Sequence, residues 1–275
     1  MIYIDKSFSQ KLERTEARAN ADFVETRARL QPKSNASWIE VAGAYAMFDG
    51  AASPCTQTFG LGLFDDVTVL HLQSLESFFI DRGAPVFHEV SPIAGGPLIP
   101  LLNSRGYRPI ELTSVMYREL VIEDPPRVFA TGRSSPVIRT RVANEDEAEL
   151  WAATAANGWS TDMGGETDFM LSFGRISAQC QGAFPFLAEL AGTAIATGML
   201  FIYDDVCLLA GASTVPEGRN QGAQNALLAD RLSFAARKGC KLAIMGTSPG
   251  SQSQKNAQRN GFNIAYTRTK WHLPL

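Results

Sequence analysis

The 275 residues are enough for two ordinary domains or one large one. A hydrophobic fraction of 45% with 19% charged residues excludes a disordered chain, and a formal net charge of -3 argues against nucleic acid as a partner. No run of 18 apolar residues exists, so no membrane span is expected, and the first twenty residues mix acids and bases without the apolar core of a signal peptide. Cys55, Cys180, Cys207 and Cys240 are scattered without a CxxC pair, which reads as reduced thiols of a cytoplasmic protein. His71, His88 and His272 are equally scattered, so no metal site is expected.

In chain order, residues 7–30 read as a charged helix with Phe8, Leu12, Ala19 and Phe23 on its apolar side and Pro32 just beyond it. Strands are expected around 38–47 and 56–64. Residues 69–82 place Leu72, Leu75, Phe78 and Phe79 at helical spacing, and Gly83 stops the helix. PVFHEVSP reads as a buried strand, Leu98 to Ser104 as a second helix ended by Gly106, and ELTSVMYREL as a strand. The Pro-rich segment 123–136 is the expected linker, separating domains at 1–122 and 137–275.

The second half repeats the plan. Residues 144–157 form a helix with an acidic first turn, which suits its dipole. Residues 166–180 form another helix, FPFLAEL and TAIATGMLFIY a hairpin, and VCLLAGAST a strand. A helix over 223–238 buries Leu228, Leu232, Ala235 and Ala236, followed by the strand KLAIMG, the short helix SQSQKNAQRN and the strand FNIAYTRTKWHL. Gly83, Ser91-Pro92 and Gly106-Tyr107 in the first half are matched at similar intervals by Gly239, Ser248-Pro249 and Gly261-Phe262. Such a repeat is one domain duplicated. The fold class is α/β (α+β): two domains, each a mixed, mostly antiparallel sheet flanked by helices.

The stretch from Val215 to Leu228, VPEGRNQGAQNALL, joins a strand to a helix through a Pro/Gly/Arg loop. A helix start directs its unpaired amides and a positive dipole end at one spot, which suits a phosphate. Gly222 permits a positive φ or a close ligand approach, the amides of Gln221 to Asn225 would donate, and Arg219 would add a charged contact. A helix start without any ligand is the alternative.

The second half, residues 137–275 and above all 206–271, resembles the GNAT superfamily of N-acetyltransferases. In that family a loop with the pattern Gln/Arg-x-x-Gly-x-Gly/Ala holds the pyrophosphate of acetyl-CoA. Here RNQGAQ supplies Arg219, Asn220, Gln221, Gly222, Ala223 and Gln224, so the first and fourth positions match and Gln224 departs from the sixth. The resemblance makes Val215, Arg219, Asn220, Gln221, Gly222, Ala223, Gln224 and Asn225 the cosubstrate cradle. It also brings Ser251, Ser253 and Asn256 to pantetheine or the 3′-phosphoadenosine, although Ser251 or Ser253 also suits helix capping.

Many family members carry a Tyr four residues before the Gly of the Gly-Phe pair, as acid for the departing thiolate. That position is Ala257 here, leaving Ser253, Tyr266 or water. The strand VCLLAGAST lacks the family's frequent Glu, so Glu189, Glu166 and Asp168 are the candidate bases. Amides around Leu209 to Gly211 would meet the oxyanion, and Gly211 suits a bulge that opens a pantetheine slot. Trp159, Met163, Glu166, Phe169, Met170 and Phe173 lie where the family covers its acceptor, and core packing is the alternative for the apolar ones.

The first half has FGLGLFDD at the corresponding place. Asp65 and Asp66, read as standing at a helix start, would repel a diphosphate, so this half is expected to bind no CoA. The resemblance implies direct acetyl transfer to a small-molecule amine by a monomer or homodimer. The alternatives are a CoA-binding sensor or scaffold without catalysis, and a transferase with a longer acyl or aminoacyl donor.

Overall fold

A computed structural model of the chain describes residues 3–121, 138–160 and 167–274. The expected linker 123–136, Met163 and Glu166 lie outside the described residues. In chain order the elements are α1 (Lys6–Leu30), β1 (Ser37–Val41), β2 (Ala44–Phe48), β3 (Gln57–Phe59), α2 (Val69–Ile80), β4 (Val86–Val90), α3 (Leu98–Ser104), β5 (Arg108–Glu119) and β6 (Ile138–Val142). They continue with α4 (Ala148–Trp159), α5 (Thr167–Ser177), β7 (Ala183–Leu190), β8 (Thr193–Tyr203), β9 (Val206–Thr214), α6 (Ala223–Arg237), β10 (Leu242–Thr247), α7 (Gln252–Arg259) and β11 (Asn263–Leu273). The order α2-β4-α3-β5 recurs as α6-β10-α7-β11, the repeat that the Gly punctuation marks.

Two expected strands come out differently. The stretch 38–47 is a hairpin, because Ala42 (φ 49°) and Gly43 (φ 72°) reverse the chain between Val41 and Ala44. The stretch 56–64 is a strand only to Phe59, after which Leu61 and Leu63 turn fully inward. No helix among the described residues is long and apolar enough to cross a membrane.

The chain divides into two compact units, residues 1–118 with 244–275, and residues 119–243. Most of β10, with α7 and β11 of the second copy, therefore counts with the first unit. Strand pairing is the reason: β11 runs antiparallel to β4 on one edge (Trp271 opposite His88) and to β5 on the other (Thr267 opposite Ser114).

In the first unit the strands run β1-β2-β3-β4-β11-β5, antiparallel except for the β3–β4 pair. Asp5 caps α1 by accepting from the Phe8 amide at 2.8 Å. One sheet face carries α1, with Ala17, Ala21 and Val24 against Met47 and Phe59. The other carries α2 and α3, with Leu72, Leu75, Phe78, Phe79 and Leu102 against Val86, Val90 and Trp271.

Alternation along β11 puts Tyr266, Arg268 and Lys270 on the α1 face, where they form a buried ionic cluster. The Arg268 guanidinium donates to Glu16 at 2.7 Å, Glu89 at 2.9 Å and Glu13 at 3.1 Å. Lys270 pairs with Glu89 at 3.3 Å, and the Tyr266 hydroxyl donates to Glu13 at 2.9 Å. Burial, opposed by Arg268, pushes the Glu13 carboxyl up to about 7. Burial alone would lower Arg268, but Glu13, Glu16 and Glu89 outweigh it and hold the guanidinium well above its ordinary value.

In the second unit β6, β7, β8 and β9 pair antiparallel in that order. The helices α4 and α5 cross closely, since a side chain on Gly174 would come within 3.0 Å of Ala152. Trp151 of α4 anchors to the sheet through its Nε1–H, which donates to the Phe186 carbonyl at 3.0 Å. On α6, Leu227, Leu228, Leu232, Ala235 and Ala236 are buried, as the spacing predicts.

Candidate functional site

The junction from β9 to α6 lies wholly in the second unit. Val215 is buried, and its amide donates to the Ile195 carbonyl at 2.9 Å. A single 3-10 turn over Pro216–Gly218 follows. Asn220 (φ 60°) and Gly222 (φ 86°) then take left-handed backbone, and Gly222 is the N-cap of α6. Gly222 brings no side chain to the cap. The amides of Ala223, Gln224 and Asn225 therefore stand at the positive end of a 15-residue helix without an intrahelical acceptor. A Cβ on Gly222 would meet nothing within 4 Å, so the cap itself stands open, although the next residue, Ala223, is buried.

Arg219, expected to contact phosphate, bonds within the protein. Its Nη2 donates to the Gly158 carbonyl at 3.3 Å and its Nε to the Thr214 carbonyl at 3.4 Å, tying the loop to α4 and to the end of β9. Gln224, the departure from the family pattern, has a structural reason. Its Nε2 donates to the Ser213 carbonyl at 2.6 Å and to Thr214 Oγ1 at 2.9 Å. The carboxamide turns back onto β9 and fastens the first turn of α6 there, leaving the backbone amides to face outward. Gln221 likewise bonds within the loop, to the Glu217 carbonyl at 2.8 Å.

The bulge expected at Gly211 is present. Met199 pairs with Ala210 but Thr197 with Ser213, so Gly198 alone faces both Gly211 and Ala212. Gly211 has φ 56°, and both bulged residues are exposed.

The remaining candidates are placed as follows. Glu189 is held by Arg141, whose Nη2 donates to it at 2.6 Å and which also grips Glu147. Hydrogen bonding from Arg141 brings the Glu147 carboxyl down to about 2. Trp159, Phe169, Met170 and Phe173 are half-buried, Asp168 is exposed, and the Phe169 and Phe173 ring centroids lie 6.0 Å apart. The apolar residues after α4 are thus neither a closed core nor a bare surface. Cys207, read as core, is fully buried.

Ser251, Ser253, Asn256 and Tyr266 belong to the first unit. Ser251 is the N-cap of α7, accepting from the Gln254 amide at 3.2 Å. Ser251→Ala should cost about 1 kcal/mol in urea unfolding and leave ligand affinity unchanged. A loss of affinity beyond threefold would give Ser251 a role besides capping. Ser253 is exposed, whereas Ala257 is buried, so the two do not share a surroundings as their spacing suggests. Asn256 Oδ1 accepts from Gln252 Nε2 at 2.7 Å. The Tyr266 hydroxyl, the other candidate acid, donates to Glu13, and burial, then Glu13, drive it far above the ordinary phenol range.

In the first unit the counterpart loop is filled by its own side chains. The Phe64 ring lies where a Cβ on Gly60 would come within 2.9 Å of it, and Gln10 closes the loop by donating to the Leu63 carbonyl at 2.7 Å. Asp65 and Asp66 do not cap the helix. Thr68 does, in a box completed by His71, and the helix begins at Val69.

Sequence reading missed Arg231. It occupies the buried face of α6, between Leu227 and Ala235, and is 3% exposed. A charged residue on the apolar stripe of LLADRLSFAA is a signal visible in the sequence.

No family model matches the sequence, and no curated protein matches it. Solved structures do match the fold. A GCN5-related N-acetyltransferase from Kribbella flavida superposes with a TM-score of 0.62 at 18% identity, covering 91% of this chain and 95% of that one. A tandem GNAT protein from the clavulanic acid biosynthesis pathway gives 0.57 at 12% identity, covering 84% and 78%. A GCN5-related N-acetyltransferase from Sphaerobacter thermophilus gives 0.53 at 16% identity, covering 84% and 76%. With helices on both faces of mixed strands, a repeated helix–strand–helix–strand order and an open strand–loop–helix junction, the chain has the fold of the GCN5-related N-acetyltransferases.

Proposed function

We propose that this chain is an acyl-CoA-dependent N-acyltransferase that moves an acetyl group from acetyl-CoA to the amine of a small molecule. The observation that carries the reading is the β9–α6 junction: a left-handed Gly222 at the head of α6, with three following amides that lack an intrahelical acceptor and nothing within 4 Å of where a Gly222 side chain would begin. Amides fixed by the fold bind a diphosphate without reorganisation, and the helix dipole adds to the attraction. Arg219 and Gln224 hold the loop from behind, so the residues expected to touch phosphate mainly shape the cradle. The likeness to solved N-acetyltransferases supports the same reading at the level of fold. The four cysteines are buried and outside any disulfide, which suits a reducing, cytoplasmic setting.

Direct transfer requires the amine nitrogen to attack the thioester carbonyl, lose a proton, and expel the CoA thiolate, which takes one up. Neither Glu189 nor Tyr266 is assigned these steps, because Arg141 and Glu13 engage them. That engagement, with a buried Ala257 at the position of the family's Tyr, favours a second reading: a CoA-binding protein without turnover.

Titration calorimetry with acetyl-CoA tests the first step and thiol release over a panel of small amines the second. Binding with thiol release is the expected result. Binding without release on any amine selects the sensor, and no heat at millimolar acetyl-CoA overturns both readings.

A further inference from the structure

Arg231 is a buried cation among carbonyls. Its Nη1 donates to the Met199 carbonyl at 3.0 Å and to the Ala210 carbonyl at 3.4 Å, and its Nε to the Leu227 carbonyl at 3.3 Å. Burial lowers its pKa to about 10, so it is charged at neutral pH. A lone buried charge is costly, and an apolar residue of similar volume would pack at lower cost on the same helix stripe. The place where the guanidinium sits gives it a use. Met199 and Ala210 are the last partners in register before the β8–β9 ladder slips at the Gly211 bulge. One N–H group of Arg231 thus serves a carbonyl from each strand at the interruption. Gly198, opposite the bulge, is the residue that leaves room, since a Cβ there would come within 2.7 Å of the guanidinium carbon.

We infer that Arg231 is a positioning residue: its guanidinium, seated over Gly198, pins the β8–β9 bulge and so presents the exposed Gly211–Ala212 backbone to the pantetheine arm of the acyl donor. The inference rests on the acyl-CoA reading above. A bulge held from the helix side keeps its one extra residue from being absorbed by a slip in register, which would return Gly211 to the ladder. The phosphate cradle is fastened by other side chains, Arg219 and Gln224, the latter through the Thr197 and Ser213 carbonyls that flank the far side of the bulge. Arg231 thus holds the Met199–Ala210 side of the bulge and Gln224 the Thr197–Ser213 side.

The test compares coenzyme A with adenosine 3′,5′-bisphosphate, which has the phosphates but no pantetheine, in calorimetry on the full chain. Arg231→Met should weaken coenzyme A at least tenfold and the bisphosphate less than threefold, with Arg231→Lys between Met and the wild type. Equal changes for the two ligands, or no change for coenzyme A, would overturn the positioning role while leaving the acyl-CoA reading intact. A wild-type protein that binds neither ligand overturns the acyl-CoA reading itself. If Arg231→Met does not fold, Gly198→Ala carries the comparison, because it displaces the same guanidinium with the charge retained. An unchanged ratio of the two affinities in Gly198→Ala would then overturn the role.

Discussion

Arg268→Met is expected to destabilise the protein by about 3–5 kcal/mol, read as a lower urea midpoint at unchanged slope. The guanidinium is 3% exposed on its side chain and stands between Glu13, Glu16 and Glu89, of which Glu13 is fully buried and Glu89 nearly so. Removing it leaves buried carboxylates facing one another, with Lys270 still paired to Glu89. Methionine fills the volume and can still lie against the Phe59 ring, which Arg268 covers at 4.8 Å, so the loss isolates charge from packing.

The pH profile supplies an independent signature. Glu13 has its pKa raised from 4.5 to about 7 in the folded chain, so the native state holds its proton over a range where the unfolded chain has lost it. The associated stability is fully present below about 4.5 and is lost as the pH rises through about 7. Glu13→Gln should flatten that slope and make the variant more stable than the wild type at pH 8. Arg268→Met should be hurt more at pH 8 than at pH 5, because a protonated Glu13 no longer repels its neighbours. A loss under 1 kcal/mol, or one equal at both pH values, would refute the cluster's described energetics.

The second large effect is expected at Gly222. Gly222→Val should lower acetyl-CoA affinity by about a hundredfold or more, some 2.7 kcal/mol, with a much smaller change in melting temperature. A β-branched residue resists φ 86°, at a cost of about 1–2 kcal/mol, but its Cβ meets no protein atom within 4 Å. The fold therefore survives, and the new side chain projects into the space the diphosphate would enter. Gly222→Asn separates the two causes. Asparagine tolerates left-handed backbone, so an equal loss of affinity identifies occlusion and a restored affinity identifies strain. Wild-type affinity in the valine variant would remove Gly222, and with it the cradle, from the site.

What could be read from sequence was what local chemistry decides. The Gly residues after α2 and α6, the apolar stripes of the helices and the bulge at Gly211 follow from backbone preferences and spacing within a few residues. The strand-to-helix junction was legible for the same reason. Its inner workings were not, because Arg219 and Gln224 bond to Gly158 and Ser213, whose nearness depends on how the strands stack. Asp65 and Asp66 misled because carboxylates commonly cap helices, whereas Thr68 with His71 completes the box here. The ionic cluster joins Glu13 and Glu16 to Arg268, 255 and 252 positions away, and no window along the chain holds both. Strand pairing is similarly non-local, so the sequence division at 123–136 could not reveal where β11 belongs.

The position of β11 has a consequence for biosynthesis. The seam between β4 and β5 is filled by Asn263–Leu273, which follows every other described strand in chain order. As residues 1–118 leave the ribosome, Glu13 and Glu89 have no Arg268 to meet, and two strand edges lack their partner until β11 itself has been made. The first unit to be synthesised is therefore the last whose sheet can close, and the nascent chain must keep those edges from other partners in the meantime.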